Sequence, residues 1–471
     1  MTTRAYDLVV IGSGPGGYVA ALTASRRGLR VALIERDAWG GVCLNIGCIP
    51  TKALLSVAHL MRQIRQAPEY GIQVEGARLE WDVVMARNRR IVGSLREGLL
   101  GLLRHQRIDL INGSAWLEDP HTIRISRDQQ TEHVSAQRII LATGASPSPG
   151  PWSFDGKTLL SYREMLSLPQ LPRSLLIIGA GAIGCEFASC FAAFGVPVTV
   201  IEQQPQILPG EDAEAVRVVA GALQQRGVNL LTGASIQTLA VLPTGVQATL
   251  SSGQTLTAAC ALVAVGIRPN SRGLGLEPLG IGVEAGIEVN DGLLTAQPHI
   301  AAIGDCLAGH GIAHLASAEG VLAVQNLCEP HPRSLDRRRV PRCVYTDPEL
   351  AQVGMTERDA PMECRISRFA FAALGKSLCD GEPEGFVKLL VQAKTDRVLG
   401  ATIVGAQASS LIHLAVVAMQ HGLTARQLAC TITAHPTWSE AVTEAAAQIY
   451  GEAFSTTMTA RAPRRAATPV T

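Results

Sequence analysis

Two stretches of the chain share one hydrophobic pattern. Leu8-Val9-Val10-Ile11 is an unbroken apolar run rich in β-branched residues, the signature of a parallel strand buried on both faces. It passes straight into Gly12-Ser13-Gly14-Pro15-Gly16-Gly17, and a helix is predicted through Ala20, Ala21 and Leu22. A second strand, Val31-Ala32-Leu33-Ile34, ends at the acidic Glu35. Leu175-Leu176-Ile177-Ile178 repeats the pattern, with Gly179-Ala180-Gly181-Ala182-Ile183-Gly184, a helix, and Val198-Thr199-Val200-Ile201 ending at Glu202. Ile139-Ile140-Leu141 adds another short strand before Ala142-Thr143-Gly144, and Pro169 and Pro172 mark a linker ahead of the repeat. From about Arg342 the pattern changes to strands at Phe386–Leu390 and Val398–Val404, followed by amphipathic helices from Ser410 and Ser439. The chain therefore reads as an α/β protein with two Rossmann-like dinucleotide-binding domains and a C-terminal α+β domain.

Each glycine in these turns has a physical task. Gly12 supplies the tight turn, Gly14 lets a pyrophosphate approach the backbone, and Gly17 lets the helix pack against the strand. The helix N-terminus offers its unpaired N–H groups to the diphosphate. Glu35, about 20 residues on, is placed to accept from a ribose hydroxyl. Gly179, Gly181, Gly184 and Glu202 repeat the set, so two dinucleotides are expected. A carboxylate at Glu202 suits a free ribose 2′-hydroxyl and repels a 2′-phosphate. Gln203-Gln204-Pro205-Gln206 brings no Arg or Lys to offset it, which favours NAD over NADP.

Composition narrows the class. The 471 residues are 47% apolar with a mean hydropathy of +0.20, which indicates a well-filled globular interior. Lys plus Arg number 41 against 40 Asp plus Glu, so there is no global positive field and nucleic acid is not an expected partner. Eleven scattered cysteines do not form a secreted disulfide framework. The apolar region from Leu175 to Ile201 contains Glu186 and several glycines, so it reads as strand, turn, helix and strand and no membrane association is expected. The first strand begins almost at once, without a signal-peptide pattern, and a cytoplasmic protein is expected.

Cys43 and Cys48 sit in Gly40-Gly41-Val42-Cys43-Leu44-Asn45-Ile46-Gly47-Cys48-Ile49-Pro50-Thr51-Lys52. Five residues on a regular helix would hold their Cα atoms roughly 8–9 Å apart, beyond the ~7 Å limit for a disulfide. A bridge would therefore need a backbone departure, and Gly47 makes one easy by tolerating positive φ. Pro50 can sit in the first turn of a following helix, leaving Cys48 near its N-terminus, where the dipole favours a thiolate. Cys185 and Cys190 have the same spacing on a plain apolar helix and are expected to be unbridged core thiols. Spacing alone thus leaves open the reading of Cys43 and Cys48 as two unrelated thiols. With two nucleotides, a redox dithiol would complete an electron path in which a nicotinamide exchanges hydride and a flavin relays electrons to sulfur.

These motifs together resemble the flavin disulfide reductases, the class I pyridine nucleotide-disulfide oxidoreductases, from about residue 5 to about 452. Leu44-Asn45 after the first cysteine is most similar to the dihydrolipoamide-oxidising branch. Thr295 through Ala302-Ile303-Gly304-Asp305 resembles the second flavin motif, and Ala313-His314 to Glu319-Gly320 and Val344-Tyr345-Thr346-Asp347-Pro348-Glu349 also match. Ala434-His435-Pro436-Thr437-Trp438-Ser439-Glu440 is similar to a catalytic His–Glu element. The resemblance implies a flavin domain at 1–148, an NAD domain at 149–271, a central segment at 272–341 completing the FAD site, and an interface (dimerisation) domain at 342–471. It implies a flavin contact at Asp305, cofactor contacts at Thr143, Gly144 and Gly266, and Lys52 near the flavin paired with Glu186.

The implied reaction oxidises a dihydrolipoyl dithiol with NAD⁺. Cys43 is the interchange thiol, Cys48 faces the flavin, and His435, oriented by Glu440, is the base. Implied partners are a second copy, whose His–Glu pair completes the site, and a lipoylated carrier such as that of a 2-oxo acid dehydrogenase complex. Departures from the family pattern are Val42 for threonine, Thr51 for serine, Ser410 for glutamate, and Trp438, which is expected to narrow the substrate channel. A glutathione-type reductase would want basic residues after Ile201, a mercuric reductase a cysteine pair in the tail, and a soluble transhydrogenase would lack Cys43 and Cys48. A flavoprotein acting on another disulfide, or a redox-silent flavoprotein subunit, is the remaining alternative. The tail from Ala460 to Thr471 reads as small, basic and disordered.

Overall fold

The first apolar run forms β1 (Arg4–Ile11), and its glycine turn leads into α1 (Pro15–Arg26) and then β2 (Val31–Glu35). A computed structural model describes residues 4–309 and 311–455, so the tail expected to be disordered lies outside the described residues. β1 pairs in parallel with β2 on one side and with Gln130–Leu141 on the other. The sheet order is Asp109–Asn112, β2, β1, Gln130–Leu141, Thr122–Arg127, Ser114–Leu117. A short strand from far downstream, Ile300–Ala302, joins it in parallel, with Ile300 opposite Ile139. The central strands are buried on both faces, as their continuous apolar pattern requires, with Val9, Val10 and Ile140 wholly enclosed.

α1 turns Ala20, Ala21 and Ala24 inward and lies against the helix Ala313–Cys328. That contact is close because both partners are glycine: a Cβ on Gly320 would sit 2.6 Å from the Gly16 carbonyl oxygen. Two further helices follow β2, α2 (Gly41–Ile46) and α3 (Cys48–Gln66). By length and a mean hydropathy of 1.5 the stretch Gly41–Tyr70 would pass for a membrane span, but it breaks between α2 and α3 and Leu54 is packed inside the protein.

The chain divides into two compact units. The first gathers residues up to Val57, Arg78–Leu171 and Val263–Leu335; the second gathers Ala58–Ala77, Pro172–Leu262 and residues from Asp336 onward. In the second unit, Asn229–Thr232, Val198–Glu202, Leu175–Ile178 and Cys260–Val263 lie side by side in that order, with Ile236–Leu242, Gly245–Leu250 and Thr255–Ala258 as an antiparallel meander. The C-terminal part is a five-stranded antiparallel sheet in the order Arg342–Val344, Glu349–Gly354, Val398–Gly405, Gly385–Gln392, Cys364–Ala370. The helices Ala408–His421 and Glu440–Gln448 cover it through Leu411, Ile412, Ala441 and Val442. Buried Lys388 of this sheet is paired with Asp212, which also caps the helix Ala213–Gln225.

Candidate active site

The cysteine loop is built onto the first glycine turn. Gly40 and Gly41 take φ of 97° and 65°, a left-handed region that favours glycine. A Cβ on Gly41 would sit 2.6 Å from Gly14 Cα, so α2 can start hard against the turn only without a side chain there. The Gly40 N–H donates to Ser13 Oγ at 3.0 Å, and Ser13 Oγ–H donates to Glu35 Oε2 at 2.7 Å. Asn45 Nδ2 staples the loop by donating to the carbonyls of Trp39 at 3.0 Å and Gly41 at 2.9 Å.

The helix breaks at Gly47, but not by positive φ as expected. Its φ and ψ are −142° and −111°, and the demand for glycine is one of space. A Cβ there would lie 3.0 Å from the Val42 carbonyl oxygen and 3.2 Å from Val42 Cγ1. α3 then begins at Cys48, with Pro50 in its first turn, where no N–H is needed. Asn88 Nδ2 holds this turn by donating to the Pro50 carbonyl at 3.1 Å.

Cys43 and Cys48 are half-buried thiols in hydrogen-bond contact. That bond, then burial and the neighbouring sulfur, push the Cys43 thiol well above the usual thiol range, while the Lys52 ammonium acts in the opposite sense. Burial, then the charges of Cys43 and Cys48, push the hydroxyl of Tyr18 on α1 up. Nothing in the pattern around Tyr18 marks it in advance. Cys185 and Cys190 behave as expected of core thiols: unbridged, on the unbroken helix Ala182–Ala193, each only 1% exposed.

The two dinucleotide turns are bonded alike. Glu35 accepts from the N–H groups of Ser13 and Asp37, both at 2.9 Å. Glu202 accepts from those of Ala180 and Gln204, both at 2.8 Å. Each carboxylate therefore ties its own turn together, and the lone pairs left on Glu35 Oε1 and on both Glu202 oxygens are what a ribose hydroxyl would meet. α1 and the helix Ala182–Ala193 start at Gly14 and Gly181 with no side-chain cap, and a Cβ on either glycine would meet nothing within 4 Å. These open cradles over bare helix N-termini fit a diphosphate at both places. Gly17 and Gly184 are required for packing, since a Cβ would lie 1.8 Å from Gly12 O and 2.0 Å from Gly179 O. Gly17→Ala is expected to purify without flavin colour. Gly184→Ala is expected to keep the flavin and lose NADH binding by at least about tenfold. The visible spectrum and an NADH titration check both.

Thr143 and Gly144 are held by Asn270, a residue the sequence reading missed. Thr143 Oγ1 donates to the Asn270 carbonyl at 2.7 Å, Asn270 Nδ2 donates to the Thr143 carbonyl at 2.9 Å, and Asn270 N–H donates to Gly144 O at 2.9 Å. Asp305 lies on the short turn Gly304–Cys306, where burial raises its carboxyl, and Glu319 accepts the Gly304 N–H at 2.8 Å to fix that turn. Gly266 has φ of 125° and accepts from the Ser148 N–H at 3.0 Å. Glu186 is buried and accepts from the Tyr345 N–H at 3.0 Å.

In the C-terminal sheet domain, Glu440 is the first residue of its helix, and His435 Nδ1 is 2.9 Å from its Oε2. The His435–Pro436 bond is cis. The His435 side chain is 77% exposed and that of Glu440 19%, so an enclosed carboxylate holds an imidazole that reaches into solvent. Trp438 is partly exposed; its indole meets Phe371 edge-on and its Nε1–H donates to Asp380. Ser410 is exposed on the helix Ala408–His421.

Comparison with known proteins places this arrangement. Residues 6–320 match the family described as pyridine nucleotide-disulphide oxidoreductase, and residues 340–446 match its dimerisation domain. The dihydrolipoyl dehydrogenase of Bacillus subtilis strain 168 is 38% identical over 468 residues, covering 95% of this chain and 99% of its own length. That of Chlorobaculum tepidum is 39% identical over 451 residues, covering 94% and 96%. Among solved structures, LpdA from Mycobacterium tuberculosis aligns with a TM-score of 0.89 at 30% identity, covering 95% of this chain and 100% of that one. The Escherichia coli flavoprotein disulfide reductase RclA, solved as a Cu(II) complex, aligns at 0.85 and 30%, covering 95% and 99%. With the family matched over most of its length and near-full-length relatives above 35% identity, the chain belongs to the pyridine nucleotide-disulphide oxidoreductase family.

Proposed function

We propose that the protein is a dihydrolipoyl dehydrogenase: it oxidises a protein-bound dihydrolipoyl dithiol to the cyclic disulfide and reduces NAD⁺ to NADH. The observation that carries this reading is the Cys43–Cys48 pair mounted on the first dinucleotide turn through Gly40, Ser13 and Glu35. The near-full-length likeness to dihydrolipoyl dehydrogenases supports the substrate. Residues 1–148 with 272–341 would hold FAD through Gly12, Gly14, Gly17, Glu35, Lys52, Thr143, Gly144 and Asp305. Residues 149–271 would hold NAD through Gly179, Gly181, Gly184, Glu186, Glu202 and Gly266.

With the pair oxidised, His435, held by Glu440, takes a proton from one substrate thiol. The substrate thiolate attacks Cys43 Sγ, the Cys43–Cys48 bond breaks, and Cys48 leaves as a thiolate. The second substrate thiol gives up its proton as its sulfur closes the lipoyl ring, and Cys43 is released and takes up a proton, so that two electrons have passed from substrate to the cysteine pair. Bound FAD supplies the relay that carries this electron pair from the dithiol to NAD⁺. Residues 342–471 would form the interface of a homodimer in which His435 of one subunit serves the cysteine pair of the other. A base left in solvent on the dimerisation domain fits such an arrangement. A lipoylated carrier of a 2-oxo acid dehydrogenase-type complex is the proposed partner, and the cytoplasm the proposed compartment.

The test is NAD⁺ reduction by free dihydrolipoamide, run beside NADP⁺ and beside glutathione disulfide with NADH. Robust turnover is expected with NAD⁺, with kcat/KM for NADP⁺ lower by at least about 100-fold because Glu202 faces the added phosphate. Flavin-loaded protein that turns over glutathione disulfide and not dihydrolipoamide would overturn the substrate assignment.

A further inference from the structure

The loop that carries His435 is tied to the sheet domain through Trp438. The His435 and Thr437 side chains bond within the loop and its own helix: His435 to Glu440, and Thr437 Oγ1 to the Ala434 carbonyl at 2.7 Å. Trp438, which lies between the imidazole and its carboxylate in sequence, turns the other way. Its Nε1–H donates to Asp380 Oδ2 at 3.0 Å, and its ring meets that of Phe371 edge-on, centroids 5.2 Å apart at 69°.

Both partners are themselves fixed. Phe371 is fully buried in the core of the sheet domain. Asp380 Oδ1 accepts from Lys376 Nζ at 2.7 Å, and its carbonyl accepts the Tyr70 hydroxyl at 2.6 Å. Ser377, one turn before Asp380, is buried and donates to the carbonyls of Phe371 and Leu374, which pins the segment that presents both contacts. An indole N–H on a carboxylate is a charge-assisted bond, stronger and more directional than a neutral one. It sits three residues from His435 and two from Glu440, so a small movement of Trp438 moves both members of the pair.

We propose that the Trp438–Asp380 bond is a positioning clasp for His435: it holds the loop so that the imidazole stays on Glu440 and presents one fixed face to the substrate dithiol. Trp438 and Asp380 are positioning residues and touch no reacting atom. The proposal rests on the reading of His435 as the base. Because a misplacement of about 1 Å can cost as much as 100-fold in a proton or group transfer, an anchor of this kind acts on kcat more than on substrate binding.

The experiment uses the flavin-loaded enzyme and four variants. Trp438→Phe keeps a ring against Phe371 and removes the donor; Asp380→Ala removes the acceptor; Asp380→Asn keeps an acceptor oxygen for the indole; the double variant Trp438→Phe/Asp380→Ala removes both. Dihydrolipoamide:NAD⁺ turnover and the rate at which NADH bleaches the flavin are measured for each, with His435→Gln as a reference. Trp438→Phe and Asp380→Ala are expected to lose about tenfold in kcat with KM for dihydrolipoamide within about twofold. Asp380→Asn is expected to recover most of the loss, the double variant to be no slower than either single one, and NADH bleaching to be unchanged throughout. Native kcat in Trp438→Phe, losses that multiply in the double variant, or a matching loss in NADH bleaching would overturn the clasp. If His435→Gln is slow while Trp438→Phe is native, the clasp alone fails; if His435→Gln itself turns over at the native rate, the base assignment fails and the clasp with it.

Discussion

Cys43→Ser is expected to abolish dihydrolipoamide turnover, by at least about 1,000-fold, and to leave the protein yellow. A hydroxyl cannot take part in thiol–disulfide exchange, because exchange requires attack on a sulfur that can be displaced. The substitution is small: Cys43 is half-buried in the short α2, and serine occupies nearly the same volume. The glycine turn, the Gly40–Ser13–Glu35 bonds and the Asn45 staple do not involve the Cys43 side chain, so the flavin site is expected to persist. The measurement is NAD⁺ reduction by dihydrolipoamide alongside the flavin spectrum. Turnover retained within tenfold would remove Cys43 from the interchange role.

His435→Gln lowers kcat for dihydrolipoamide by about 100- to 10,000-fold, the range for loss of a general base. The cysteine pair makes that need plain. In the oxidised pair neither sulfur carries a proton or a thiolate charge, so the attacking group has to come from the substrate. A thiolate must therefore be generated on the substrate, and His435, an imidazole held by an enclosed carboxylate, is the base proposed for it. Reduction of the flavin by NADH does not need the base and is expected at the native rate. The subunit arrangement is checked in the same experiment. Heterodimers that pair a Cys43→Ser subunit with a His435→Gln subunit contain one intact site if the base acts across the interface, and recover about half the native rate. If both groups must come from one subunit, such heterodimers stay inactive.

The glycine turns were readable because their requirements are local. Gly12, Gly14 and Gly17 stand in a fixed relation to one strand and one helix, and the crowding that forbids a Cβ at Gly17 arises within six residues of chain. The same holds for Glu35 and Glu202, whose positions at strand ends follow from the length of the intervening helix. Their bonds were not readable: each carboxylate spends an oxygen on the N–H group of its own turn, a contact between residues 22 apart that exists only once the strands are paired. Gly47 shows the limit from the other side. That a break falls there follows from the residue, but the reason for it is the packing of Val42 against the turn. Asn270 and Tyr18 left no trace in the pattern, since an asparagine after a strand and a tyrosine on a helix are ordinary until the neighbours are known. The bond of Trp438 was not readable either, because its partner Asp380 lies 58 residues away.

By itself the sequence determined the two glycine turns and the strand-end acids Glu35 and Glu202, and it set Cys43 five residues from Cys48 and His435 five from Glu440. All of these are set by residue types at short, fixed separations, where chain geometry leaves few alternatives. Tertiary structure decided what depends on segments far apart in the chain. It brought Ile300–Ala302 into the first sheet beside Gln130–Leu141, seated the cysteine loop on Ser13 and Gly14, and turned Trp438 onto Phe371 and Asp380. Those contacts come from the burial of apolar faces and the satisfaction of polar groups across the whole fold, and no short stretch of the chain encodes them alone.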